Sequence, residues 1–281
     1  MKISNKIFAL CGLLFACQGY AFDLGQLQDK LKSELPKVNP KLIEVAKEVR
    51  GPDDAEEIAI GRQIAGNLLG ASHLVKDAQL QKYVNQVGEW VASQSERPDL
   101  PWHFGVIQTE DVNAFAAPGG YIFVTMGLYR LLQNEADLAG VLGHEVGHVI
   151  RKHHLKILQQ SRLVDAGGKV LANGIGGSDK VQQLIGSGAE IVARGLDKDA
   201  EFEADRIGIV LATRAGYDAY GLPSVLQQIG HASNDEGQVA LLFKTHPHPD
   251  ERLARLDSVM ADRFDRIKGL TLEKRFYRVK K

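Results

Sequence analysis

Cysteine is nearly absent from this chain: two residues in 281, Cys11 and Cys17, both close to the N-terminus. A disulfide framework is therefore excluded for everything after residue 17, and the fold has to rest on a hydrophobic core. Excess charge of either sign is missing too. The 34 Lys and Arg against 35 Asp and Glu leave a formal net charge of −1. With no basic field and no nucleic-acid-binding motif, no nucleic-acid partner is expected. Beyond the N-terminus no apolar run approaches the ~20 residues that a bilayer-spanning helix needs. What remains, 44% hydrophobic and 25% charged residues, is the composition of a folded globular domain and excludes general disorder.

The first 21 residues read as an export signal. Lys2 and Lys6 precede an apolar stretch from Ile7 to Cys17, too short for a span, and Gly19-Tyr20-Ala21 places small residues where a signal peptidase reads them. Cleavage before Phe22 and a periplasmic location are expected. Lipidation at Cys17, in Leu14-Phe15-Ala16-Cys17, is the alternative, although Phe15 is bulky for that motif.

Leu24, Leu27, Leu31 and Leu35 have helical spacing, interrupted by Pro36, Pro40 and Pro52. Further helices are predicted near Ala55–Leu69 and Asp77–Ser95, and strands over Trp102–Gln108 and Tyr121–Thr125, with Asn113 to Gly120 as a loop and tight turn. From Asn134, a candidate N-cap, the pattern turns almost wholly helical. The glycine-rich stretch Gly167–Gly188 is expected to be mobile, and the basic residues after Asp262 to be a solvated end.

The chemistry concentrates at residues 144–148, His-Glu-Val-Gly-His. On a helix His144 and His148 share a face one turn apart, so both imidazoles can hold one metal ion. Glu145 is offset and can act as general base towards a water that the metal activates. The same helix carries Gly140, Gly143 and Gly147, each costing up to ~1 kcal/mol relative to Ala. Close approach of another backbone, or of a substrate strand, explains them.

A catalytic zinc keeps three protein ligands and one open position. In Glu201-Phe202-Glu203-Ala204-Asp205, Glu201 and Asp205 share a helical face while Glu203 turns away. Glu201 is the candidate third ligand, and Asp205 the acceptor for the free ring nitrogen of a ligand histidine; a solvated acidic face is the alternative. His153 and His154 are read as complementing a helix C-terminus. His246-Pro247-His248-Pro249 with Arg252 is either a plain turn before a helix or a histidine held at the site.

Taken in order, Asn113-Ala114-Phe115, Pro118-Gly119-Gly120, the His144-to-His148 motif, Glu201-to-Asp205 and His246-Pro247 with Arg252 resemble the zinc metallopeptidase family forty-eight, which includes HtpX heat-shock and CAAX prenyl proteases. The resemblance covers about Ala55 to Met260. It is nearest the exported periplasmic branch, the BepA and LoiP type, since the spans of the membrane members are missing.

The resemblance implies an α+β, mostly helical, gluzincin-like metallopeptidase domain with a small β-sheet beside the HExxH helix. It further implies one Zn2+ per chain on His144, His148 and Glu201, with Glu145 as base and Asp205 behind a ligand. The strand near Tyr121–Thr125, or the segment leading into it, would border the cleft and pair with extended substrate. His246 would either donate to the oxyanion or occupy the open zinc position and hold the enzyme latent. The expected organisation is a signal peptide over 1–21, a helical segment over 22–54, the zinc metallopeptidase domain over 55–262 and a basic tail over 263–281. The expected partners are unfolded or misassembled envelope proteins. Association with the outer membrane stays open, without a C-terminal repeat domain for docking. A non-catalytic, chaperone-like zinc-binding protein of the same fold is the rival reading.

Overall fold

The computed structural model describes residues 52–159, 196–232, 239, 242 and 245–279. The expected signal peptide, nearly all of the 22–54 segment and the Gly167–Gly188 stretch lie outside the described residues. Two helices come first: α1 (Asp54–Ala71), opened by a capping box between Asp53 and Glu56, and α2 (Ala78–Ala92), whose first N–H groups donate to Asp77. Then follow β1 (His103–Ile107), β2 (Ala114–Ala117) and β3 (Tyr121–Thr125). A short helix α3 (Met126–Leu131) leads into α4 (Glu135–Ile150), and α5 (Lys198–Arg214), α6 (Gly221–Ala232) and α7 (Pro249–Met260) complete the helices used below. Among the described residues no helix is long and apolar enough to cross a membrane.

The strands form one mixed sheet in the order β1-β3-β2, parallel between β1 and β3 and antiparallel between β2 and β3. The predicted strand at Tyr121–Thr125 is thus the middle one. The predicted loop over residues 113–120 needs correcting, because Ala114–Ala117 is a buried strand paired to β3. Three alanines and one phenylalanine lack the β-branched pattern that signals a strand, and cross-strand packing decides instead. The tight turn itself is present: Gly119 and Gly120 take φ of 74° and 101°, which glycine adopts without strain.

Helix α4 is the central helix among the described residues. Asn134 caps it as expected, accepting from the Asp137 N–H, and every residue from Glu135 to Ile150 is buried. Its glycines explain how. A Cβ on Gly143 would lie 2.8 Å from the Gly208 carbonyl oxygen of α5, and one on Gly140 would lie 2.6 Å from the Leu222 nitrogen of α6. The close partners are neighbouring helix backbones. On its other side α4 packs Leu138, Leu142 and Val146 into a core shared with Leu80, Val84 and Val91 of α2 and Ile122 and Val124 of β3.

The segment after Asp262 also needs correcting, since it folds back. Phe276 is buried and stacks on Tyr129, the Tyr129 hydroxyl donates to the Tyr277 carbonyl at 2.6 Å, and the Tyr277 hydroxyl donates to Asp77 at 2.9 Å. Arg275 Nε donates to the buried Glu135 carboxylate at 2.8 Å, and the Thr271 carbonyl accepts from the Ala136 N–H in the first turn of α4. Phe276 enters the core and Leu272, Tyr277 and Val279 pack against it, while the basic residues between them stay at the surface.

Candidate metal centre

Helical phase brings the two motif histidines together. His144 and His148 sit one turn apart on α4 with their Nε2 atoms 3.0 Å from each other. Helix α5 lies against this face and presents Glu201, whose Oε2 is 3.6 Å from His144 Nε2 and whose Oε1 is 3.6 Å from His148 Nε2. His246, just before α7, places Nδ1 2.7 Å from Glu201 Oε2. One donor atom from each of these four residues lies within 4.8 Å of the others, and three of the four residues are buried.

The outward ring nitrogen of His144 shows why this cluster suits a cation. Its Nδ1 is 2.8 Å from Asp205 Oδ1, and an ionised carboxylate only accepts, so Nδ1 carries the proton and Nε2 turns a bare lone pair to the centre. Asp205 is in turn gripped by Arg252, whose Nε donates to Oδ2 at 2.9 Å. Glu201 Oε1 is buried with no hydrogen-bond partner among the described residues. A lone pair facing an orphaned carboxylate oxygen in a closed pocket is unfavourable without a positive charge between them. Two imidazoles and a carboxylate are a donor set for zinc.

The electrostatics follow from burial and charge. Burial pushes the Asp205 and Glu201 carboxyls up, but Arg252 and His144 outweigh it for Asp205, and His246 and His144 for Glu201, so both are held below the usual carboxylate range. Burial pulls His246 down, and Glu201 more than offsets this. Glu145 is 2% exposed and makes no part of the four-donor cluster; burial raises its pKa. It borders a pocket lined by Ala114 of β2, Val141, Leu226 and Leu242.

All six predicted site residues, His144, Glu145, His148, Glu201, Asp205 and His246, are therefore neighbours. Glu203 leaves the cluster as expected. The assignment of His153 and His154 to a helix end is corrected. Both are buried, and His153 Nδ1 lies 2.9 Å from His148 Nδ1. Burial lowers the pKa of His154 to about 4, leaving it uncharged at neutral pH. Five residues along an unbroken helix would put His153 well off the face of His148. The chain avoids this by leaving the helix after Ile150 and passing through Lys152 at φ 57°, which turns His153 back. The sequence signal was only the surplus of histidine at 153 and 154.

Comparison with known proteins agrees. Residues 78–260 match the profile of Peptidase family M48. The chain is 30% identical over 207 residues to the beta-barrel assembly-enhancing protease of Yersinia pestis, covering 71% of this chain and 43% of that protein. It is 26% identical over 175 residues to the mitochondrial metalloendopeptidase OMA1 of Schizosaccharomyces pombe, covering 62% and 51%. It is 30% identical over 154 residues to the metalloprotease YcaL of Escherichia coli, covering 54% and 59%. The chain thus spans about half the length of the relatives it matches. On the profile and on the convergent histidines and glutamate that the family's chemistry requires, this chain belongs to Peptidase family M48.

Proposed function

We propose that this chain is a zinc-dependent endopeptidase of the bacterial periplasm that cleaves unfolded or misassembled envelope proteins. His144, His148 and Glu201 would hold one zinc ion. When bound, the ion would polarise the scissile carbonyl and make water a nucleophile near neutral pH. The Glu145 carboxylate accepts the proton of the attacking water and returns it to the leaving amine. Asp205 keeps the His144 proton on Nδ1 and, with Arg252, fixes that ring.

The observation that carries the reading is a buried carboxylate, Glu145, beside the donors yet outside their cluster. A purely structural or chaperone-like site has no use for a base there. The names of the relatives support peptide hydrolysis, and the export signal read at residues 1–21 supports the periplasm. For the substrate, β3 is paired on both sides, whereas β2 is paired on one side among the described residues and its Ala114 borders the Glu145 pocket. An extended chain adding to β2 gains main-chain hydrogen bonds with little dependence on side chains, which suits unfolded proteins as substrates.

Digestion of casein by purified protein tests the reading. Activity should vanish with a chelator, return with zinc and be absent from the Glu145→Gln variant. Chelator-resistant digestion overturns it.

A further inference from the structure

The outward Nδ1 of His144 meets a carboxylate directly, whereas among the described residues the Nδ1 of His148 meets none. Its Nδ1 faces another imidazole, His153 Nδ1 at 2.9 Å, with the rings inclined at 70°. One of these two nitrogens must donate and the other accept. The far side of His153 decides which. Its Nε2 lies 3.3 Å from Glu203 Oε2, and Arg151 Nε sits 3.0 Å from the other oxygen of Glu203. An ionised carboxylate cannot donate, so the proton of neutral His153 belongs on Nε2, and its Nδ1 is left with a lone pair. That lone pair can only accept from His148, which places the His148 proton on Nδ1 and bares Nε2 towards His144 and Glu201.

We propose that His153, itself held by Glu203, is a positioning residue that fixes the tautomer and ring orientation of His148 for metal binding. The site then has two relays. Asp205 acts on His144 in one step, and Glu203 acts on His148 through His153 in two. Helix α5 supplies three carboxylates to one centre: Glu201 to the donors, Asp205 behind one imidazole and Glu203 behind the chain of two. The partners of ligand histidines set basicity as well as orientation, and losing one weakens metal affinity by roughly 10- to 100-fold. Packing alone does not account for a nitrogen-to-nitrogen contact at hydrogen-bond distance between two buried rings.

The proposal rests on the metal reading above, so its test has one arm that needs no metal. In the metal-free protein, 15N shifts of the histidine rings should show His148 protonated on Nδ1, and the His153→Leu variant should lose that preference. In the second arm, zinc affinity is measured by competition with a chelator. His153→Leu should bind about 10- to 100-fold more weakly than wild type. His153→Asn, whose amide oxygen can stand near the position of Nδ1 and accept the same proton, should recover most of that loss. Glu203→Ala, at a partly exposed position, should fall between wild type and His153→Leu, and it keeps the test open if the leucine variant does not fold. Equal weakening by leucine and asparagine, an unchanged zinc affinity in Glu203→Ala, or a His148 protonated on Nε2 in the metal-free wild type would each overturn the relay. Failure of the wild type to bind zinc would instead overturn the metal reading, with the tautomer measurement still deciding the relay.

Discussion

Glu145 and Glu201 are the same residue type, both buried within one small site, yet the function proposed above gives them opposite duties. Glu201 comes from a second helix and points its oxygens at both imidazoles, whereas Glu145 follows a ligand on the same helix and is rotated off the cluster. Their variants should separate accordingly. Glu145→Gln keeps every donor and should retain zinc while losing turnover by about 10²- to 10⁴-fold, as expected for a missing general base. Glu201→Ala removes a ligand and should be isolated with little or no zinc. Metal analysis beside casein digestion checks both, and zinc lost from Glu145→Gln, or kept in full by Glu201→Ala, contradicts the assignment. These residues were legible in the sequence because i, i+4 spacing determines which side chains share a helix face. His153 was not, because its place depends on Lys152 leaving the helix in a left-handed conformation, which no spacing rule announces for a lysine.

Helices α4 and α5 must meet backbone to backbone for Glu201 to reach both histidines. The contact is reciprocal: a Cβ on Gly143 would meet the Gly208 carbonyl at 2.8 Å, and one on Gly208 would meet the His144 nitrogen at 2.6 Å. Gly143→Ala gains up to ~1 kcal/mol of helix propensity. Against this, a backbone atom cannot swing aside like the end of a side chain, and overpacking costs ~1–3 kcal/mol. The clash should win, so that the variant melts earlier and binds zinc more weakly as the helices separate; an unchanged melting midpoint would mean that α4 and α5 have room to spare. The segment before α7 makes a second prediction. His246 belongs to the four-donor cluster, with Nδ1 2.7 Å from Glu201 Oε2, and we take it as an occupant of the open zinc position. His246→Ala should then raise the initial rate of peptide cleavage, and a fall of ~10²-fold would instead give His246 the role of oxyanion donor. At this scale most helices were legible from periodicity, whereas β2, being short and alanine-rich, is a strand only because β3 is beside it.

At the scale of the molecule, the C-terminal segment ties back onto the start of α4, a contact between residues 135 and 275 that no local pattern could announce. Glu135 is fully buried at the first turn of α4. It accepts from Tyr83 at 2.9 Å, from Tyr217 at 2.8 Å and from Arg275, whose side chain is 61% exposed. Burial alone would raise its pKa, but Arg275 and the two hydroxyls outweigh burial and hold it below the ordinary value of 4.5. A carboxylate with a depressed folded pKa contributes stability that is complete above its unfolded pKa and is lost as pH falls through the folded value. The window for this contact is therefore below about pH 4.5. Glu57, buried between Arg97 at 2.9 Å and Lys152 at 2.9 Å, has the same sign and window, so acid alone does not isolate the C-terminal tie. A difference does. Arg275→Met removes one partner and leaves Glu135 its two tyrosines. With the exposed guanidinium screened by water, the cost near neutral pH should be about 1–2 kcal/mol. As Glu135 takes up a proton, Arg275 has no charge left to pair with. The gap in melting midpoint between wild type and Arg275→Met should therefore be widest at pH 6–7 and close as pH falls towards 3, while the contribution of Glu57 cancels between the two proteins. Thermal melts of both, followed by circular dichroism across that range at one zinc concentration, decide it. A gap that stays constant with pH would show that Arg275 acts through packing of its stem, and that the charge on Glu135 does not hold the C-terminal segment to α4.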